Sequence, residues 1–373
     1  MKKRLLLIIA SLTMAAALTA CGGKEDSAEP VTVQIEDDEN TGTEETKEPV
    51  EEAEAEEEPV PEGYYRSELT NEIISEDIKD QRPIAVMVDN EKTALPHYGL
   101  TQADVVYELM NSTMNDEITR FMCLVKDWNA IKQFGSIRSL RPTNILLANE
   151  WNAIICHDGG PFHNKPYLAL DATDNISGYF GRVKNGKPRE FTEYILTGEI
   201  EKYTKELGIG TTYNEYYEGP HYQFASEANP QFLEKSYPDY AKDATFIDLP
   251  FKHNGSELEY NAEDGLYYYS EYGEKHLDAQ NDNKQLAFKN VIIQRVTYNK
   301  LDKNGYLIFN CIGADQEAIY ITNGKSVKVR WTKTSDTTPT RYYDGTGNEI
   351  KINTGKTYVA FVADQRWAEL VIK

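Results

Sequence analysis

Cysteine, positive charge and long apolar runs are all scarce in this chain. Its 373 residues hold only 4 Cys, set 39 Lys plus Arg against 61 Asp plus Glu, and carry a formal net charge of −22. A nucleic-acid binder is excluded by that balance, because phosphate contacts need clustered cations. The longest strongly apolar run, Leu5 to Leu18, has fourteen residues, short of the about 20 that a membrane-spanning helix requires. No Cys pair has zinc-site spacing, and Cys156, His157 and His163 lack a well-spaced fourth ligand, so no metal is expected. Gly208-Ile209-Gly210 lacks the third Gly of a nucleotide loop, and no Ser sits in a Gly-x-Ser-x-Gly elbow. No cofactor is expected either. With 24 Gly, 15 Pro and 11% aromatic residues, collagen-like and wholly disordered chains are also excluded.

What is present begins with an export signal over residues 1–20, with Lys2, Lys3 and Arg4 ahead of the apolar run. Leu18-Thr19-Ala20-Cys21 resembles the lipobox of bacterial lipoproteins, which implies that Cys21 becomes an acylated (palmitate-bearing) N-terminus; an ordinary secretory signal with a chance Cys is the alternative. More than one acyl chain suffices for stable anchoring, so the expected location is the extracytoplasmic face of the cell membrane. Removing Cys21 leaves Cys123, Cys156 and Cys311, an odd number, which read as small buried hydrophobes. Gly22 to Glu62 has 17 acidic and 2 basic residues and too few apolar groups to fold. We read 21–62 as a lipidated Cys and a disordered acidic tether, able to reach at most about 140 Å.

Beyond it the pattern is α+β. Residues 63–235 read as a mixed α/β domain: a short helix over Ser67 to Lys79, buried strands at Pro83 to Val88, Val105 to Met110, Ile118 to Val125 and Ala153 to Cys156, a helix opened by Pro142, and another over Thr192 to Leu207 ended by Gly208. Residues 236–373 read as a mainly antiparallel β domain. Asn254-Gly255, Asp264-Gly265, Asn304-Gly305, Asn323-Gly324 and Asp344-Gly345 there punctuate stretches rich in Val, Ile, Tyr and Thr.

Polar residues at the ends of the buried strands form the candidate site: Asp89, Asn90, Asp104, Glu108, Arg120, Arg138, Ser139 and Arg141. A group of Arg side chains beside a helix start can hold an anion. The alternative for Arg120 is an ion pair with Glu108 or Asp104. His157 and Asp158 are weaker candidates for acid or base work, and Arg182, Lys184, Lys187 and Arg189 read as a solvated basic hairpin.

Four blocks, Arg82 to Asn90, Gly99 to Glu108, Ile118 to Phe121 and Gly135 to Pro142, together resemble the YerB-like bacterial lipoproteins. The resemblance runs from about Leu69 to the C-terminus, since Thr340 to Asp344 and Thr354 to Thr357 are similar to that family's second domain. It implies a two-domain lipoprotein of unknown function. One block departs: Leu95-Pro96-His97-Tyr98 stands where the family has Arg-Pro-Gln-Ser, so any role for that Arg is absent or has moved.

Two functions remain. The first is a surface-tethered binding module whose Arg120, Arg138 and Arg141 hold an anionic or glycan ligand, with cell-wall polymer or another envelope protein as partner. The second is an envelope enzyme acting on a phosphorylated or glycan substrate, with Asp89 or Asp104 as metal ligand or base. That enzyme needs all these side chains to converge in one pocket.

Overall fold

Apolar runs without alternation become the middle of a sheet. Ile84–Asp89 (β1), Val105–Met110 (β2) and Thr119–Val125 (β3) are buried at every position, as strands covered on both faces must be. The structure is a computed structural model that describes residues 59–373; the expected signal peptide, Cys21 and the expected tether up to residue 58 lie outside the described residues. β3 is antiparallel to both β1 and β2. Ile154–His157 (β4) joins β1 in parallel and Asp174–Ser177 (β5) joins β4. The second half supplies Asn290–Val296 (β6), Gly313–Thr322 (β7), Lys325–Lys333 (β8) and Thr357–Ala363 (β9). Across the sheet the order is β8-β7-β6-β9-β2-β3-β1-β4-β5.

β9, close to the C-terminus, therefore runs through the middle, parallel to both β6 and β2. The halves read from the sequence as 63–235 and 236–373 are hydrogen-bonded side by side through this strand, and residues 59–373 belong to one compact unit. A parallel pairing across some 250 residues leaves no local mark in the chain. Strands predominate and helices are few. The first half is not clearly α/β: Pro142–Asn149 (α1) and Glu199–Leu207 (α2) are its longest helices among the described residues.

Two expected helices change. Ser67 to Lys79 instead holds the strand Ile73–Ser75, paired with Tyr64–Arg66, and a single 3-10 turn at Glu76–Ile78. Asn71, at φ 60°, turns the chain left-handed where a helix would have to continue. Thr192 to Leu207 divides into the strand Glu193–Leu196 and α2, separated by Gly198 at φ 78°. The Glu199 carboxylate fixes that corner by accepting from the backbone N–H of Leu196 at 2.8 Å. Hairpins do form at Asp264-Gly265, Asn304-Gly305 and Asn323-Gly324. Cys123, Cys156 and Cys311 are free and buried, and burial pushes the Cys311 thiol up to about 12.

Alternation along each strand divides the sheet into two faces. Ala85, Met87, Leu109, Met122 and Leu124 belong with α1 residues Ile145 to Leu147 on one face, and Asp89 and Arg120 share that parity. Val86, Val88, Phe121 and Cys123 pack with Leu258, Tyr267 and Tyr269 of a second sheet on the other, the side that Asn90, Glu108 and Thr119 share.

Candidate cationic site at the strand ends

The end of β1 and the start of β3 meet where Asp89 is registered opposite Arg120. The segment before α1 is laid across them: Asp89 N–H donates to the Ser136 carbonyl at 3.1 Å, and Arg138 N–H to the Met87 carbonyl at 2.8 Å. Two guanidiniums, those of Arg138 and Arg120, are thereby gathered around one carboxylate. Asp89 Oδ2 accepts from Arg138 Nε and lies 3.8 Å from an Arg120 terminal nitrogen. Arg138 also bonds Glu190 at 3.0 Å and lies over the Phe191 ring, so both ends of its fork are occupied. Arg120 donates to the Ser139 carbonyl at 2.9 Å; Ser139 serves through its backbone. The partners expected for Arg120, Glu108 and Asp104, are replaced by Asp89.

Arg141 is different. It donates to the Leu140 carbonyl at 2.9 Å and sits 4.9 Å from the centre of the Tyr306 ring, and among the described residues it has no carboxylate within ion-pair reach. Arg120 is 9% and Arg141 8% exposed, and the buried Nε of each has no acceptor among the described residues. Burial, then the neighbouring Arg120, push the Arg141 guanidinium down to about 9. Burial also lowers Arg120, with Asp89 opposing and Arg138 adding. Crowded, dehydrated cations that lower one another in this way are stabilised by any anion that joins them.

The other expected residues do not converge here. Asp104 precedes β2 at the opposite end, about 16 Å along the strand from Leu109, which faces Arg120; it accepts from Lys126 N–H at 2.7 Å. Asn90 and Glu108 point through the other face. Glu108 is wholly buried and accepts from Asn90, Thr119, Ser256, Tyr269 and Tyr358. Burial outweighs these five donors and pushes its carboxyl from 4.5 up to about 7. A raised value in the fold means stability that is full below pH 4.5 and lost as pH rises to about 7. The stability of the native protein relative to Glu108→Gln should therefore fall by about 3 kcal/mol between pH 4.5 and 8 in urea titrations. A difference that stays flat with pH would contradict it.

His157 and Asp158 are engaged structurally. His157 Nδ1 meets the Gly159 carbonyl at 2.8 Å and Nε2 the Asn175 side-chain oxygen at 3.2 Å; burial lowers the ring's basicity. Asp158 and Glu193 both hold Arg182, which removes Arg182 from the expected free basic hairpin. Burial pushes Glu193 up to about 7. Tyr306, beside Arg141, and the His163 and Phe162 rings that follow it in line are not legible in the sequence as part of an anion site. Tyr306 comes from more than 160 residues away, and nothing local marks it. A broad hollow of about 740 Å³ lies elsewhere, lined by Glu117, Lys252, His253, Tyr272 and Arg366 among others.

Comparison with known proteins agrees on family and fold. Residues 69–210 match the family described as "Protein of unknown function (DUF3048) N-terminal domain", and residues 247–359 match its C-terminal domain. The chain is 22% identical over 315 residues to "Putative lipoprotein YerB" of Bacillus subtilis (strain 168), covering 82% of this chain and 86% of that protein. The crystal structure of the Bacillus subtilis YerB protein superposes with a TM-score of 0.66 at 21% identity, over 80% of this chain and 96% of that one.

Proposed function

Because the chain belongs to the DUF3048 family of proteins of unknown function, we propose that it is a membrane-anchored envelope lipoprotein whose first half binds an anionic ligand at Arg120 and Arg141. Cys21 carries the anchor. The acidic stretch that follows, net −15 from Gly22 to Glu62, repels an anionic membrane and itself, and so holds the folded part away in the wall layer. No helix among the described residues is long and apolar enough to cross a membrane.

The single observation that carries the binding role is the charge imbalance at the strand ends. Arg120 and Arg141 each keep a buried Nε–H without an acceptor among the described residues, and a dehydrated donor left unmade costs about 1–3 kcal/mol, more on a charged group. An anion that accepts from both recovers this cost. Arg138, locked by Asp89 and Glu190, instead fixes the floor of the site. The enzyme alternative gains no support, since Asp104 lies at the far end and the Asp89 carboxylate is enclosed by cations.

Full-length protein titrated with a purified phosphodiester wall polymer should bind it. Arg141→Ala should weaken that binding by more than about tenfold, as loss of one charged hydrogen-bonding group implies. Arg141→Lys, which keeps the charge and loses the fork, should fall between. Polymer retention unchanged in a folded Arg141→Ala protein would sink the proposal.

A further inference from the structure

We propose that the ligand at Arg120 and Arg141 is a glycosyl phosphate, its phosphate on the two guanidiniums and its sugar ring on the exposed face of Phe162. This rests on the anion-binding reading above and adds what lies next to the anion.

The loop that carries Phe162 is fastened to the Arg segment itself. Leu140 N–H donates to the Gly159 carbonyl at 3.1 Å. In return the Leu140 carbonyl accepts from Asn164 Nδ2 at 3.0 Å and from Arg141 at 2.9 Å. One residue thus ties the loop and the guanidinium together. Gly160, at φ 155°, permits this close approach: a Cβ there would lie 2.9 Å from the Leu140 carbonyl oxygen and 2.3 Å from the Asn164 amide. His157, unused as an acid or base, holds the same loop through the Gly159 carbonyl.

From Arg141 a line of rings leads outward. The guanidinium covers Tyr306; the His163 ring meets Tyr306 edge-on at 6.3 Å; Phe162 lies 3.9 Å from His163. His163 is fixed by Asp302 at 3.1 Å. Phe162 is 77% exposed, more than any other large hydrophobic side chain among the described residues. Such exposure costs apolar hydration. An exposed aromatic face linked to a cationic site through two intervening rings suits a ligand with one anionic end and one flat, partly apolar end. A sugar ring attached to phosphate has both. A bare anion would leave Phe162 without use. A phospholipid surface fits less well, because the folded residues from 63 onward carry a net charge of −10 and an anionic membrane would repel them.

The test compares inorganic phosphate, glucose 1-phosphate and dihexanoyl phosphatidylglycerol by calorimetric titration of the full-length protein. Glucose 1-phosphate should bind about tenfold tighter than phosphate, the scale of one aromatic contact. Phe162→Ala should erase that advantage while leaving phosphate affinity unchanged, and Arg141→Ala should weaken both. The exposed position of Phe162 makes its truncation harmless to folding. Equal affinities for phosphate and glucose 1-phosphate, or no effect of Phe162→Ala, would overturn the glycosyl assignment alone. Tighter binding of the short-chain lipid that depends on Phe162 would overturn it in favour of a lipid surface. Failure of every phosphate compound to bind would overturn the anion reading itself.

Discussion

Lys333→Met is expected to cost about 3–5 kcal/mol of folding stability. Lys333 and Glu150 form an ion pair at 3.0 Å with both side chains at 0% exposure. Lys333 also donates to the carbonyls of Asp336 and Thr338. Glu150 accepts from Tyr107 OH at 3.0 Å and from the Thr340 hydroxyl at 2.7 Å. Met fills nearly the same volume, so the loss measures the stranded carboxylate, not a cavity. Adding Glu150→Gln removes that charge and keeps one acceptor oxygen for Thr340, while its amide group can donate to the Tyr107 oxygen. The double variant should then recover most of the loss, since a well-packed neutral replacement of a buried pair is often close to neutral. Urea denaturation at pH 7 checks both. A single-variant loss below about 1 kcal/mol, the range of solvated pairs, would refute it. Glu150 follows α1 and Lys333 ends β8, so the same measurement reports the coupling of the two halves.

The second large effect concerns the other end of the chain. Cys21→Ser should abolish incorporation of labelled palmitate, because the hydroxyl that replaces the thiol does not become the acylated N-terminus that the lipobox implies. Two or more acyl chains, at about 0.8 kcal/mol per buried CH₂, separate firm from marginal membrane attachment. The variant should therefore leave the detergent-rich phase on temperature-induced phase separation, whereas Arg141→Ala should label and partition as the native protein does. Undiminished labelling of Cys21→Ser would exclude this Cys as the anchor.

The buried strands are legible in the residues because burial on both faces writes itself as uninterrupted apolar sequence: Val105–Met110 stands where the residues place it. Turns of the Asn-Gly and Asp-Gly type are legible because backbone sterics act locally; Asn323 and Gly324 take φ of 50° and 74°. The helix expected over Ser67 to Lys79 fails for the converse reason. Its spacing satisfies the helical period, but a single left-handed Asn71 and a partner strand at Tyr64–Arg66 decide the outcome. In the candidate site, Arg120, Arg138 and Arg141 stand out by their type and their nearness to strand ends. Asp104 proves to lie elsewhere because a strand has two ends, and the apolar run does not say which end meets its neighbours'. Glu108 and Asn90 lie elsewhere because a shift of one residue moves a side chain to the other face.

The buried strands and the three Arg residues worth testing can be read from the residues alone, as can the expectations of an export signal, a lipobox at Cys21 and an acidic tether, which lie outside the described residues. Each is written in composition, period or short motif, and depends on residues close together in the chain. Packing alone sets β9 between β6 and β2, makes Asp89 the one carboxylate shared by Arg138 and Arg120, and stands Tyr306 and the Phe162 loop beside Arg141. These arrangements depend on which distant segments desolvate one another, a property of the whole folded chain.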